Sequence, residues 1–305
     1  MKFYIAGPMS GYEHFNFPAF DKGARLVAAW GHECVSPAEI DRVVFGWGKV
    51  PPADLIFSES DFAETIRRDY RELTQVDAIA FLPGWQDSRG ASLERRFGLQ
   101  LGLPFYRFDP TIDMLDPEVI VGFTGYARSG KDTAAAKAVA GFGFERIGWA
   151  DSLKGVLLAL NPIVAGASTR LSDYREDHET VDEFWEFVKD HNPEVRTLLQ
   201  RLGTEGGRTH ISDDVWVRAL IERQHGTRVV IPDCRFENEA AAVRSRHGII
   251  IEVVRPGVGP ANAHVSERCL EGDVTIHNDS TIEALHKQVA DVLLEHLASR
   301  RIVRA

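Results

Sequence analysis

Residues 125–133 read Gly-Tyr-Ala-Arg-Ser-Gly-Lys-Asp-Thr, with Gly125, Gly130 and Lys131 in the G-x-x-x-x-G-K spacing of a phosphate-binding loop. An apolar run, EVIVGFTG (118–125), leads into it and an Ala-rich stretch follows. That strand–loop–helix setting is what such a loop requires. The glycines let successive backbone N–H groups curl around an anion. The helix that follows turns its positive end toward the same anion. Lys131 adds a mobile charge for the outer phosphates of a nucleotide. Asp132 stands directly after Lys131, so the hydroxyl that would hold Mg²⁺ comes one place later, at Thr133. The expected phosphate cradle is therefore Gly125, Arg128, Ser129, Gly130, Lys131, Asp132 and Thr133.

A second group of residues lies near the N-terminus. Ser88, Gly90 and Glu94 form an S-x-G-x-x-x-E pattern on a loop entering a predicted helix. Ser88 and Gly90 are placed to hold an anion at that helix N-terminus, with Glu94 expected in its first turn. Asp69, one predicted helix earlier, offers a second carboxylate. Tyr4, at the end of the first predicted strand, is followed by a tight turn with Gly7 and Ser10. A nucleophilic carboxylate with a carboxylic acid nearby is a minimal set for breaking a glycosidic bond through a covalent intermediate. Glu94 could instead cap its helix or pair with Arg95 or Arg96.

Further polar groups are spread over the second half. Asp151 and Lys154 follow a predicted strand, and Arg196, Gln200, Glu205 and Arg208 lie in a helical stretch. Asp233 and Arg235 stand where a buried strand ends, the crevice position for ligands in an open α/β sheet. His264 and Glu267 come later. Taken singly, Asp151 could be a helix cap and Arg196 or Arg208 a solvated charge. His178 has no second His at i+4, so no zinc-type site is expected there.

These residues need elements to position them. KFYIAG (2–7), DAIAFLP (77–83), LPFYRF, EVIVGFTG (118–125), TRVVIPD (227–233), GIIIEVVR (248–255) and VTIHND (274–279) read as strands. Phe20, Ala24, Val27 and Ala28 recur at helical spacing, as do Ile282, Leu285, Val289, Val292, Leu293 and Leu297. Residues 38–62 read as an irregular loop, 63–75 and 236–246 as helices, and 151–224 as mostly helical. Residues 109–117, with two Asp-Pro pairs, read as a linker. Strands alternating with helices on both sides predict an α/β chain of two domains, 1–108 and 118–305, each a mainly parallel sheet flanked by helices.

Composition narrows the function classes. The 305 residues are 44% hydrophobic and 26% charged, as in ordinary globular proteins. A net charge of −10 argues against duplex nucleic acid as a partner. No run approaches the ~18 apolar residues of a membrane span. Cys34, Cys234 and Cys269 form no CxxC pair, which suits a reducing cytoplasm, the host's if the chain is viral. Small-molecule nucleotides are the expected partners. A homo-oligomer is left open.

The order GxxxSGKDT, ADSLK, LLQRLGTE with a later Arg, VIPDCRFENEA, HVSE and a final ND resembles the phage-type deoxynucleoside monophosphate kinases across about residues 118–300. The resemblance implies ATP-dependent phosphoryl transfer to a deoxynucleoside monophosphate. Lys131 and Thr133 would handle ATP and Mg²⁺. Asp151, Lys154, Arg196, Gln200, Arg208 and Arg235 would address the acceptor and the developing charge, and Asp233 the metal or nucleophile. Residues 1–108, through Tyr4-x-x-Gly7, Asp69 and the Ser88–Glu94 pattern, resemble the nucleoside deoxyribosyltransferase superfamily with its deoxynucleotide N-hydrolases. By that resemblance Glu94 would attack the sugar C1′ and Asp69 would assist with the base. A Ser at position 88 suits a 5′-phosphate. Two other readings stay open: a non-catalytic nucleotide-sensing first domain, and a P-loop NTPase switch.

Overall fold

The computed structural model describes residues 1–52, 58–109, 114–164, 169–175, 179–224, 226–259 and 270–300. His178, His264, Glu267 and Cys269 lie outside the described residues.

The first sheet comes from β1 (Lys2–Ala6), β2 (Glu33–Val35), β3 (Ala78–Phe81), β4 (Phe105–Asp109) and β5 (Met114–Pro117), in the order β2-β1-β3-β4-β5. The first four strands are parallel and β5 is antiparallel. Helices α1 (Phe17–Ala29), α2 (Pro37–Phe45), α3 (Glu59–Leu73) and α4 (Arg89–Gln100) accompany it. Successive side chains of a strand point to opposite faces, so β1 feeds two cores. Phe3 and Ile5 pack with Phe17, Phe20 and Val27 of α1. Tyr4 and Ala6 pack on the other face with Leu73 of α3 and Ala91 of α4. That alternation aims Tyr4 at the helices carrying Asp69 and Glu94.

The second sheet contains β6 (Val119–Thr124), β7 (Glu145–Arg146), β10 (Arg228–Ile231), β11 (Ile249–Val254) and β12 (Val274–His277), in the order β12-β11-β6-β10-β7. All its pairings are parallel. The short antiparallel pair β8 (Ile163–Val164) and β9 (Thr169–Arg170) stands apart. Around the sheet run α5 (Lys131–Phe142), α6 (Ala150–Leu160), α7 (Val181–His191), α8 (Pro193–Arg201), a π-helix over Leu202–Thr209, α9 (Val215–Arg223), α10 (Glu237–Arg244) and α11 (Ile282–Arg300). All six residues of β6 are buried, as expected of a central parallel strand. The chain is α/β, with parallel-dominated sheets flanked by helices. No helix among the described residues is long and apolar enough to cross a membrane.

Two stretches differ from the sequence expectation. The loop expected over 38–62 contains α2, whose Pro37 at the start and left-handed Gly46 at the end are helix boundary signals. The linker expected over 109–117 contributes β5, which pairs with β4 through registers such as Phe108 with Leu115. Leu115 is buried in the first core and Pro117 is buried too, which seats this edge strand.

The two sheets' surroundings meet through polar contacts. Arg95 of α4 donates to the Gln224 side chain at 3.1 Å, and Arg96 pairs with Glu222 at 2.8 Å. Buried Glu118 pairs with Arg246, which also donates to Gln224. Arg228 reaches Asp116 at 3.3 Å.

Candidate functional site

In the first sheet, a cleft of about 470 Å³ opens beyond the carboxyl ends of β1 and β3. Gly7, Ser10, Asp69, Ser88, Gly90 and Glu94 all line it. Tyr4 lies beneath, and its hydroxyl donates to Glu94 Oε1 at 2.6 Å. Glu94 is the sixth residue of α4, so it sits in the second turn rather than the first. Tyr4 is in the body of β1 rather than at its end. Ser88 is the helix N-cap, its Oγ accepting from Ala91 N at 3.2 Å. Glu94 and Asp69 are both buried.

Burial pushes both carboxyls above the usual carboxylate range. The charge of Asp69 raises Glu94 further, while the Tyr4 hydrogen bond favours the Glu94 carboxylate. For Asp69 the opposing influences are Arg68, whose Nη2 lies 3.6 Å from Oδ1, and then the Tyr4 hydroxyl. Arg68 is itself held by buried Asp41 of α2 at 2.5 Å. Asp41, Asp69 and Glu94 thus line the cleft together with an aromatic wall that includes Phe15, Trp47 and Phe62, and Arg68 pairs with the first two. Asp41 was hidden because it falls in the stretch read as loop. Arg68 was hidden because nothing local marks it from Arg67.

In the second sheet, the loop after β6 has the form its spacing predicts. Gly125 and Gly130 adopt φ of +144° and +102°. A Cβ on Gly125 would come within 2.6 Å of Ser129 Oγ and 2.7 Å of Val253 O. Only glycine fits such a close, left-handed approach. Ser129 is buried, and its Oγ has no hydrogen-bond partner among the described residues, a donor in keeping with a phosphate ligand. Lys131 opens α5 and is buried, with Nζ 3.7 Å from Asp132. Asp132 also pairs with Arg146 at 3.5 Å. Thr133 is exposed in the first turn of α5. Asn278, in the short ND segment after β12, donates to Ser129 O at 2.8 Å and so braces the loop. Arg255 donates to Arg128 O at 3.3 Å.

Parallel pairing of β6 with β10 brings Asp233 and Arg235 to the same sheet edge as this loop. Trp149 N donates to Asp233 at 3.4 Å, which docks the start of α6 there. Asp151 accepts from Gly148 N at 2.7 Å and lies 3.6 Å from Lys154. Burial raises the Asp233 carboxyl, opposed by Arg235 and Lys154 and reinforced by the charge of Asp151. Asp151, Lys154, Asp233 and Arg235 therefore form one electrostatic cluster.

Arg196 and Gln200 are exposed on α8, with Arg196 3.3 Å from Asp190. Half-buried Lys189 of α7 feels both Lys154 and Arg196, a neighbourhood the sequence reading did not include. Arg208 is placed differently. Its guanidinium pairs with buried Glu239 at 2.5 Å, donates to Asp213 O and Asn238, and stacks on Phe236 at 3.9 Å. It ties the π-helix to α10. Among the described residues no group of three or more His, Cys, Asp or Glu could hold a metal. A Mg²⁺ ion that rides on substrate phosphates needs only one or two protein ligands, so Thr133 and Asp233 remain the residues to consider.

Comparison with known proteins gives separate results for the two parts. Residues 160–289 match the family model of deoxynucleotide monophosphate kinases. The provisionally named deoxynucleotide monophosphate kinase of Acanthamoeba polyphaga mimivirus is 29% identical over 189 residues, covering 56% of this chain and 94% of the relative. The C-terminal part resembles the deoxynucleotide monophosphate kinases. The enzyme of that name from Enterobacteria phage T4 is 32% identical over 108 residues, covering 32% of this chain and 45% of the phage protein. The chain thus spans nearly all of the mimivirus kinase but less than half of the phage T4 kinase. Residues 1–106 match a domain of unknown function, DUF4406. A solved 2-deoxyribosyltransferase from Bacillus psychrosaccharolyticus is similar at 20% identity and a TM-score of 0.27, covering 36% of this chain and 73% of that one. The kinase model begins after the phosphate loop, so the loop's reading rests on its own geometry.

Proposed function

We propose that this chain transfers a phosphoryl group from ATP to a deoxynucleoside monophosphate, through a kinase domain over 118–305. The observation that carries the reading is the pairing of the Gly125–Thr133 loop with the Asp151–Lys154–Asp233–Arg235 cluster on one sheet edge. A phosphate oxygen of the acceptor attacks the γ-phosphorus, and the bond to ADP breaks. Loop N–H groups, Ser129 and Lys131 hold the donor phosphates. Lys154 and Arg235, with Arg196 and Gln200 farther out, meet the acceptor. Mg²⁺, when bound near Thr133 and Asp233, would neutralise charge on the outer phosphates. Positioning and charge neutralisation are most of what phosphoryl transfer asks of a protein. The test is chromatography of each deoxynucleoside monophosphate incubated with the protein, Mg²⁺ and ATP. Diphosphate is expected with the parent protein and should disappear with Lys131→Ala. Loss of ATP with no diphosphate formed would favour an NTPase switch instead.

The second reading concerns residues 1–108. The Tyr4–Glu94 hydrogen bond and the adjoining Asp69 support cleavage of an N-glycosidic bond in a deoxynucleotide. Glu94 attacks C1′, the base leaves with a proton from Asp69, and water or a second base resolves the sugar ester. Ser88, Gly90, Gly7 and Ser10 border the sugar-phosphate side. Free base should appear without ATP and vanish with Glu94→Ala. If Glu94→Ala changes only kinase affinity, the domain is a nucleotide sensor.

A further inference from the structure

Two oxygens on the α3 wall of the cleft have no hydrogen-bond partner among the described residues although both are shielded from solvent: Thr65 Oγ1 and Asp69 Oδ1. They are four residues apart, hence on one face of the helix, and both residues line the cleft. Phe62, on the adjoining turn, lines it too. Buried polar atoms are nearly always satisfied, so two oxygens left without a hydrogen bond in the wall of a cleft point to a ligand. Arg68 Nη2 lies 3.6 Å from Asp69 Oδ1, which favours that oxygen as an acceptor. Thr65 can donate or accept. Acceptor and hydroxyl side by side, next to aromatic rings, match the edge and face of a heteroaromatic base.

We propose that Thr65 is a specificity residue of this cleft, reading the edge of the bound base together with Asp69. The proposal rests on the nucleotide reading of the N-terminal domain and adds a residue to it. Helix α3 runs beside α4 here, with Tyr70 stacked on Phe97 at 4.4 Å and Glu59 3.6 Å from Arg89. Thr65 thus stands between the rim, at Glu59 and Arg89, and the deeper Asp69–Glu94 level. A hydroxyl there touches the ligand without touching the reacting carboxylate.

The test uses the full chain with dAMP, dCMP, dGMP and dTMP, without ATP, and compares parent, Thr65→Val and Thr65→Ser for free-base release. Valine keeps the shape and removes the hydrogen bond. Thr65→Val should lower kcat/KM about tenfold on the preferred base, the scale of one lost hydrogen bond. It should leave the poorest substrate nearly unchanged, so that base preference flattens, and Thr65→Ser should restore it. An equal loss on all four substrates, or no loss, overturns the proposal. If the parent releases no base at all, the cleavage reading fails separately. Calorimetric titration with the same four nucleotides then decides: base-selective weakening in Thr65→Val sustains the edge-reading role, and identical isotherms sink it.

Discussion

Glu94 and Arg95 are consecutive residues of α4 that serve different parts of the molecule. Glu94 accepts the Tyr4 hydroxyl at 2.6 Å inside the cleft. Arg95 turns the other way and donates to Gln224, 129 positions along the chain, at 3.1 Å. One turn of helix therefore fixes the cleft carboxylate and grips the end of α9. Arg223, beside Gln224, donates in turn to Ser152 next to Asp151. The two candidate sites are joined by packed, hydrogen-bonded elements.

The grip is backed by an acid that three guanidinium groups share. Arg95, Arg107 and Arg246 all lie in the field of Glu118, and burial lowers the Arg95 guanidinium to about 10. Glu118→Ala would leave buried guanidinium groups uncompensated, which costs about 3–5 kcal/mol. Urea unfolding should show the midpoint falling accordingly. A change under about 0.5 kcal/mol would mean water already reaches the cluster.

Tyr4 should matter more to charge than to packing. Its hydrogen bond is the one influence that favours the Glu94 carboxylate against burial and Asp69. Tyr4→Phe is predicted to push the Glu94 carboxyl further up. If base release occurs, its acid limb should move to higher pH while the far-UV spectrum stays unchanged. An unmoved limb would assign that limb to another group.

The fold was largely legible in the sequence because both sheets rest on continuous apolar runs such as IVGF and AIAF. Edge strands carried too little signal: β7 is two exposed residues, and β5 gives the core clusters only Leu115 among the described residues. At the sites, loop glycines and the Glu94 spacing are local patterns and could be read directly. Asp41 and Arg68 could not, since their meeting is a tertiary event between α2 and α3. Arg208 has a partner that no local pattern announces. A conspicuous Arg after a Gly pair looks available for substrate, but only the fold shows Glu239 claiming it.

The raised carboxyls carry a stability signature. A carboxyl whose folded pKa is above its unfolded value contributes stability that is full below the unfolded pKa and lost as pH rises through the folded one. Burial puts Glu94 in that class. Glu94→Gln should therefore melt a few degrees higher than the parent at pH 9 and close to it at pH 5. The reverse order of these differences would show that Glu94 is better solvated than its surroundings indicate.

The brace on the phosphate loop should matter more to the donor nucleotide than to the acceptor. Asn278, directly after β12, holds Ser129 O at 2.8 Å. Asn278→Ala should loosen the cradle and raise KM for ATP several-fold, with a smaller effect on KM for the acceptor. Equal effects on both substrates would point to general unfolding, which a melting curve would reveal.

Glu239 makes the Arg208 contact sensitive to pH. It accepts from Arg235 N at 2.8 Å, from Phe236 N at 3.2 Å and from Arg208, yet burial still raises it to about 7. Arg208 opposes that rise, so Arg208→Ala should lift the carboxyl further. At pH 8.5 the variant must bury an unpaired carboxylate or take up a proton against the solvent, and a loss of about 3–5 kcal/mol is expected. At pH 5.5 the acid is already largely protonated in the folded parent, so the loss should be distinctly smaller. Denaturant curves for parent and variant at the two pH values test this. Equal losses at both would mean that Arg208 acts through its stacking on Phe236 rather than through charge.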